Sequence, residues 1–136
     1  MNMSKKTTTI FRILTVLYLA ALSFLCFHSF KSLPEVPHTI FGLQVDKIVH
    51  FCMFLPFPVL VYMSLGRAFK TPWRSVWGIF LIFIIGCAVA GATELLQGLT
   101  PDRTPDPLDF KADSIALVLS SFLVFIYNLK KQSDGK

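Results

Sequence analysis

Charged residues are missing from four long stretches of this 136-residue chain. No Asp, Glu, Lys or Arg occurs in Ile13–Phe30, Ile48–Leu65, Ser75–Thr93 or Ser114–Leu129, the last being the shortest. Charged residues make up 15% of the chain and apolar residues 54%, which excludes an ordinary soluble domain of this size. A helix needs about 20 residues to cross the hydrocarbon core, and the flanking residues bring each stretch near that length. The sequence predicts one all-α domain over residues 1–136, an integral membrane bundle of four transmembrane helices.

Cysteine is also scarce, and the three cysteines stand singly inside predicted helices, at Cys26, Cys52 and Cys87. They have no paired spacing, so the pattern predicts no disulfide framework. Neither a nucleophile motif nor a recognised metal signature occurs, and we therefore expect no metal site and no cofactor. The chain contains no repeats and no low-complexity tract.

The net charge of +5 is distributed unevenly along the chain. If four helices alternate across the membrane, nine basic residues fall on one side: Lys5, Lys6, Arg12, Arg67, Lys70, Arg74, Lys130, Lys131 and Lys136. Only Lys31, Lys47, Arg103 and Lys111 fall on the other side. By the positive-inside rule both termini are cytoplasmic in a multi-pass protein of the inner or plasma membrane. The basic charge is thus a topology signal and not a nucleic-acid footprint.

Polar residues gather where three predicted helices meet the outer surface. Asp46 and His50 are four residues apart at the start of the second helix, and therefore share one face. Glu94 and Gln97 share a face at the end of the third helix, which also carries small residues that permit close helix packing. A carboxylate at the edge of a membrane segment is costly unless it faces protein or water, so Glu94 should point into the bundle.

The fourth helix adds two acids, Asp109 and Asp113, which are four residues apart and repel each other. Arg103, Lys47, Lys111 or a bound cation could offset this repulsion. Alternatively, the pKa of one of the two acids could be raised, so that it is neutral. Asp106 precedes Pro107 and has a simpler interpretation as the N-cap of the fourth helix. Pro56 and Pro58 lie inside the second helix and predict a kink there.

These residues, in this order, resemble the VanZ-like family of small bacterial membrane proteins. The segments that carry the resemblance are Asp46–Phe54, Glu94–Gln97, and Arg103 with Asp106–Asp113, which together cover about residues 46–120. The family pattern usually has Asn at the position of Asp113, followed by glycines that this chain lacks. The resemblance implies a four-helix membrane bundle and a relation to glycopeptide resistance, without defining a biochemical activity.

Two interpretations of the polar residues follow. In the first, an envelope protein binds or modifies a lipid-linked or cell-wall-related ligand; His50 or Glu94 acts as general base, and Arg103 holds a phosphate or carboxylate. Asp46, Gln97, Asp109 and Asp113 then complete the ligand site. In the second, the protein is a non-catalytic scaffold or accessory subunit, and the charges only tie the helices together.

A third interpretation, a proton- or ion-coupled carrier, is less well supported, because the first and fourth helices show no ionisable group at mid-depth. Whether the protein is an enzyme, and its oligomeric state, remain open at this point.

Overall fold

A computed structural model of the chain describes residues 4–27, 39–40, 42–66, 68–69, 71–99 and 105–133. These residues form five α-helices: α1 (Lys5–Phe27), α2 (Val45–Phe54), α3 (Phe57–Leu65), α4 (Pro72–Gln97) and α5 (Pro107–Ser133). A short antiparallel hairpin, β1 (Thr39–Ile40) and β2 (Leu43–Gln44), precedes α2 and turns at Gly42, whose φ of 78° suits glycine.

Four segments are long and apolar enough to cross a membrane: α1, α2 together with α3, α4, and α5. The predicted all-α bundle of four transmembrane helices is therefore confirmed. Much of the outward surface is apolar, with Leu95 72% exposed and Trp73 68% exposed. Such side chains are expected where lipid rather than water surrounds a helix bundle.

Helix α5 is longer than its charge-free stretch, because the helix begins at Pro107 and includes Asp109 and Asp113. Both acids are buried, and they lie on the same inward face as Ala116 and Leu117. Their burial requires partners on neighbouring helices, since an unpaired carboxylate in an apolar environment is costly. The first two turns of α5 thus belong to the packed bundle.

The predicted kink in the second span is a local interruption at Leu55 and Pro56, which separates α2 from α3. Proline lacks a backbone N–H, so Pro56 and Pro58 interrupt the helical hydrogen bonding at this point. Helix α1 contacts the backbone on both sides of the interruption: the Tyr18 hydroxyl donates to the Met53 carbonyl at 2.5 Å, and the Thr15 hydroxyl lies 3.2 Å from the Leu60 carbonyl. The interruption is therefore stabilised by the neighbouring helix.

Small residues let α4 approach α5 closely, as their spacing predicted. Ala90 is fully buried. A Cβ atom added at Gly86 would lie 2.7 Å from Leu117 and 3.2 Å from Phe57, which is too close for unstrained packing. This close approach places the C-terminal turn of α4 beside the N-terminal turn of α5, where the polar residues collect.

Candidate functional site

Side chains from α2, α4 and the start of α5 form one connected network at the same end of the bundle. We call the following residues the polar cluster: Asp46, Lys47, His50, Glu94, Asp106, Asp109 and Asp113. The C-terminal end of α4 and the N-terminal ends of α2 and α5 lie together at this end of the bundle. The polar cluster therefore joins three of the four spans.

Lys47 lies at the centre of the polar cluster. Its ammonium group donates to Asp106 Oδ2 and to Asp109 Oδ1, and lies 4.0 Å from Asp46 Oδ2. The hydrogen bond from Lys47 lowers the pKa of the Asp106 carboxyl below its usual value. A lowered carboxyl pKa means that this pairing stabilises the fold at neutral pH and is lost as the pH falls through the lowered pKa.

His50 is buried between two aspartates of α5. Its Nδ1 atom lies 3.2 and 3.3 Å from the carboxylate oxygens of Asp113, which is itself fully buried. Its Nε2 atom lies 3.8 Å from Asp109 Oδ2. A carboxylate on one ring nitrogen fixes the orientation of the imidazole and leaves the other nitrogen for chemistry.

Glu94 connects α4 to the start of α5. Its Oε1 atom accepts a hydrogen bond from the backbone N–H of Asp106. Its Oε2 atom is buried and has no hydrogen-bond partner among the residues that the structure describes. The side chain is 8% exposed, so the prediction that Glu94 points into the bundle is confirmed.

Asp106 has two roles at the start of α5. Its Oδ1 atom accepts from the Leu108 backbone N–H at 2.9 Å, as expected for an N-cap. Its other oxygen binds Lys47. The N-cap interpretation is therefore confirmed, and it describes only half of what this carboxylate does.

The sequence-predicted site residues are distributed as follows. His50, Glu94, Asp109 and Asp113 lie in the buried part of the polar cluster, and Asp46 lies at its exposed edge. Gln97 is also buried, and its amide nitrogen donates to the Cys26 carbonyl of α1 at 3.0 Å. Arg103 lies outside the described residues, so its predicted role stays a prediction.

Sequence reasoning grouped Lys47 with Asp46 and His50, but it assigned neither Lys47 nor Asp106 a role in ligand binding. A lysine at the start of an apolar run is costly to bury, and this was the available signal for Lys47. Its partners were not predictable from helix periodicity, because Asp106 and Asp109 are 59 and 62 residues away along the chain.

A groove beside the polar cluster connects it with the lipid-facing surface. The groove has a volume of about 690 Å³ and runs between α2 and α5. Lys47 and Lys111 are among its lining residues, and its apolar wall includes Ile48, Phe51 and Ile115. A second groove of about 430 Å³ shares Lys111 and Ile115 and continues along α5.

Comparison with known proteins identifies no relative of this chain. No family model matches it, and neither a curated protein nor a solved structure shows significant similarity to it.

Proposed function

We propose that this chain is a bacterial cell-envelope membrane protein of VanZ-like type that binds or modifies a lipid-linked, cell-wall-related ligand. The observation that carries the proposal is the groove between α2 and α5, where lysine side chains and an apolar wall adjoin the polar cluster. An amphiphile with a phosphate group and a polyprenyl chain matches this combination of surfaces.

The two sides of the groove fit different parts of such a ligand. Lys111 is exposed and forms no ion pair with a described residue, so its ammonium group suits a phosphate, whereas the ammonium group of Lys47 already binds Asp106 and Asp109. Ile48, Phe51 and Ile115 suit the hydrocarbon chain. A volume of about 690 Å³ lies within the usual range of small-molecule sites. The lipid chain would then remain in contact with the bilayer while its headgroup reaches the polar cluster.

The polar cluster itself suits a headgroup that donates hydrogen bonds. Its carboxylates accept hydrogen bonds from hydroxyl or ammonium groups, which are common in lipid-linked saccharides and peptides. His50 is oriented by Asp113 and has its Nε2 atom on the opposite side of the ring, the arrangement of a general base. In the modifying version of the proposal, His50 takes a proton from the headgroup or from water.

A filled groove should prevent ligand binding. Ala112→Trp places a large side chain in the groove wall, whereas Ala88→Trp places the same side chain on the exposed surface of α4. Steric overfilling of about 1–3 kcal/mol corresponds to roughly a tenfold to hundredfold loss of affinity. Native mass spectrometry with a polyprenyl-diphosphate-linked saccharide measures the bound fraction for both variants and for the wild type.

The expected result is binding to the wild type and to Ala88→Trp, with strongly reduced binding to Ala112→Trp. Equal binding by both tryptophan variants would show that the groove is not the site. Absence of binding to the wild type would reject this ligand class.

The alternative function is that of a scaffold, and one observation favours it. The hydrogen bonds of the Lys47 ammonium group join α2 to residues 59 and 62 positions away, and the bond from the Asp106 N–H to Glu94 joins the start of α5 to α4. Such bonds hold helices together even when no ligand binds. A scaffold would tolerate exchange of paired charges across α2 and α5, whereas a ligand site would not.

The proposal also includes an orientation, with both termini in the cytoplasm and the polar cluster at the outer surface. Its support is the excess of basic residues near the termini and in the loop between α3 and α4. Reporter fusions after Thr71 and at the C-terminus should therefore read cytoplasmic, and a fusion after Gln44 should read external. An external signal from the fusion after Thr71 would show that the orientation is the reverse of the one proposed. The polar cluster would then face the cytoplasm and not the outer surface.

A further inference from the structure

The Nε2 side of His50 shows an unusual combination of burial and missing contacts. The His50 side chain is 5% exposed, and its Nδ1 atom is held by Asp113. Its Nε2 atom faces Asp109 Oδ2 across 3.8 Å, which is longer than a hydrogen bond. Among the described residues, no hydrogen bond to Nε2 is formed. A buried imidazole thus directs a nitrogen towards a carboxylate without bonding to it.

Asp46 brings a third ligand-type atom to the same place. Asp46 precedes His50 by one helical turn on α2, and one atom from each of Asp46, His50 and Asp109 lies within 4.8 Å of the other two. Two atoms that bind one ion at about 2.1 Å can lie up to about 4.2 Å apart. The His50–Asp109 distance already fits this limit. The Asp46 side chain is 63% exposed and can rotate to close the remaining gap.

The neighbours of these side chains orient them as the outer partners of a metal site do. Asp113 accepts from the nitrogen of His50 that points away from the gap, the arrangement typical of metal-binding histidines. Lys47 binds Oδ1 of Asp109, so Oδ2 remains directed towards His50. Both buried ligands are therefore held in place by a second residue.

The charge of the polar cluster favours a cation. Within the described residues, five carboxylates (Asp46, Glu94, Asp106, Asp109 and Asp113) face one lysine and one histidine. Lys47 offsets part of this charge through Asp106 and Asp109, but it makes no contact with Asp113 or Glu94 among the described hydrogen bonds and ion pairs. A divalent cation would offset part of the remaining negative charge of the polar cluster.

We propose that Asp46, His50 and Asp109 bind a divalent transition-metal ion of the Mn²⁺ or Zn²⁺ kind. One imidazole nitrogen with two carboxylates is a ligand set that both ions accept, whereas Mg²⁺ and Ca²⁺ prefer oxygen alone. Three protein ligands leave a coordination position for water or for an oxygen atom of a bound ligand. The binding of the ion does not depend on the function proposed above. Only its contact with an oxygen atom of a bound ligand, such as a phosphate oxygen, rests on the proposed function.

The test is a titration of Mn²⁺ alone into the full chain in detergent, with free Mn²⁺ measured by electron paramagnetic resonance. Asp46→Asn should weaken binding at least tenfold without affecting folding, because Asp46 is exposed and its only described ion pair is the 4.0 Å approach to Lys47. Asp113→Asn should weaken binding about 10- to 100-fold through the orientation of His50. Asp106→Asn removes a carboxylate of the same polar cluster that is not a ligand, and its effect should be smaller than that of Asp46→Asn.

Three results would overturn the inference: no Mn²⁺ binding by the wild type, wild-type affinity in Asp46→Asn, or an equal loss in Asp46→Asn and Asp106→Asn. The last result would indicate diffuse attraction of cations to an acidic surface. Because the titration contains no lipid-linked ligand, its result tests the metal site independently of the ligand-binding function proposed above. If Asp113→Asn does not fold, the exposed Asp46→Asn variant still decides.

Discussion

Replacing Lys47 with methionine is expected to destabilise the bundle more than any other single change in the polar cluster. The substitution keeps the length of the side chain and removes the cation that binds Asp106 and Asp109. Asp109 is buried, and removal of one partner of a buried ion pair costs about 3–5 kcal/mol. We expect a value near the lower limit, because Asp106 is partly exposed and can turn to solvent. The loss of folded protein on heating in detergent, followed by size-exclusion chromatography, measures the effect.

Lys111→Met is the matched control for this prediction. Lys111 lies near the same end of α5, is exposed and forms no ion pair with a described residue. The double variant Lys47→Met/Asp109→Asn should regain part of the lost stability, since it removes the carboxylate that the single substitution leaves unpaired. Equal stability of Lys47→Met and Lys111→Met would show that the network of Lys47 is not important for folding.

The number and type of the membrane helices could be predicted from the sequence because charge is excluded from lipid. The start of the fourth helix was predicted separately, from the Asp106–Pro107 N-cap pattern, and that prediction is confirmed. The charge-free stretch begins at Ser114, whereas α5 begins at Pro107 and buries Asp109 and Asp113. Their partners, Lys47 and His50, are on α2. A rule that treats each segment alone cannot detect acids that a distant helix neutralises.

Part of the polar cluster could be predicted from the sequence, because helix periodicity shows which residues share a helix face. Helix periodicity placed Asp46 beside His50, and Asp109 beside Asp113, because these pairs are one turn apart. It could not pair residues of different helices, which depends on how the spans pack. Lys47 was therefore grouped with its neighbours on the second helix and considered as one of several groups that could offset the acids, and the structure shows that it is a direct partner of Asp109.

Glu94→Gln is the second substitution with a large expected effect, and its effect should fall on ligand binding. The glutamine oxygen can still accept the Asp106 N–H, so the connection between α4 and α5 is retained. The change removes the charge and the buried Oε2 atom, which has no hydrogen-bond partner within the described part of the chain. If Oε2 accepts a hydrogen bond from the ligand, its loss costs about 1.5–3 kcal/mol, or roughly 10- to 100-fold in affinity.

The measurement that tests the central claim most directly is ligand bound per folded molecule in Glu94→Gln and in the wild type. The polyprenyl-diphosphate-linked saccharide is the probe, and size-exclusion chromatography gives the amount of folded protein. A ligand site at the polar cluster predicts wild-type levels of folded Glu94→Gln protein and at least a tenfold loss of binding per molecule. Reduced amounts of folded protein with unchanged binding per molecule would contradict this account and identify Glu94 as a structural residue of a scaffold.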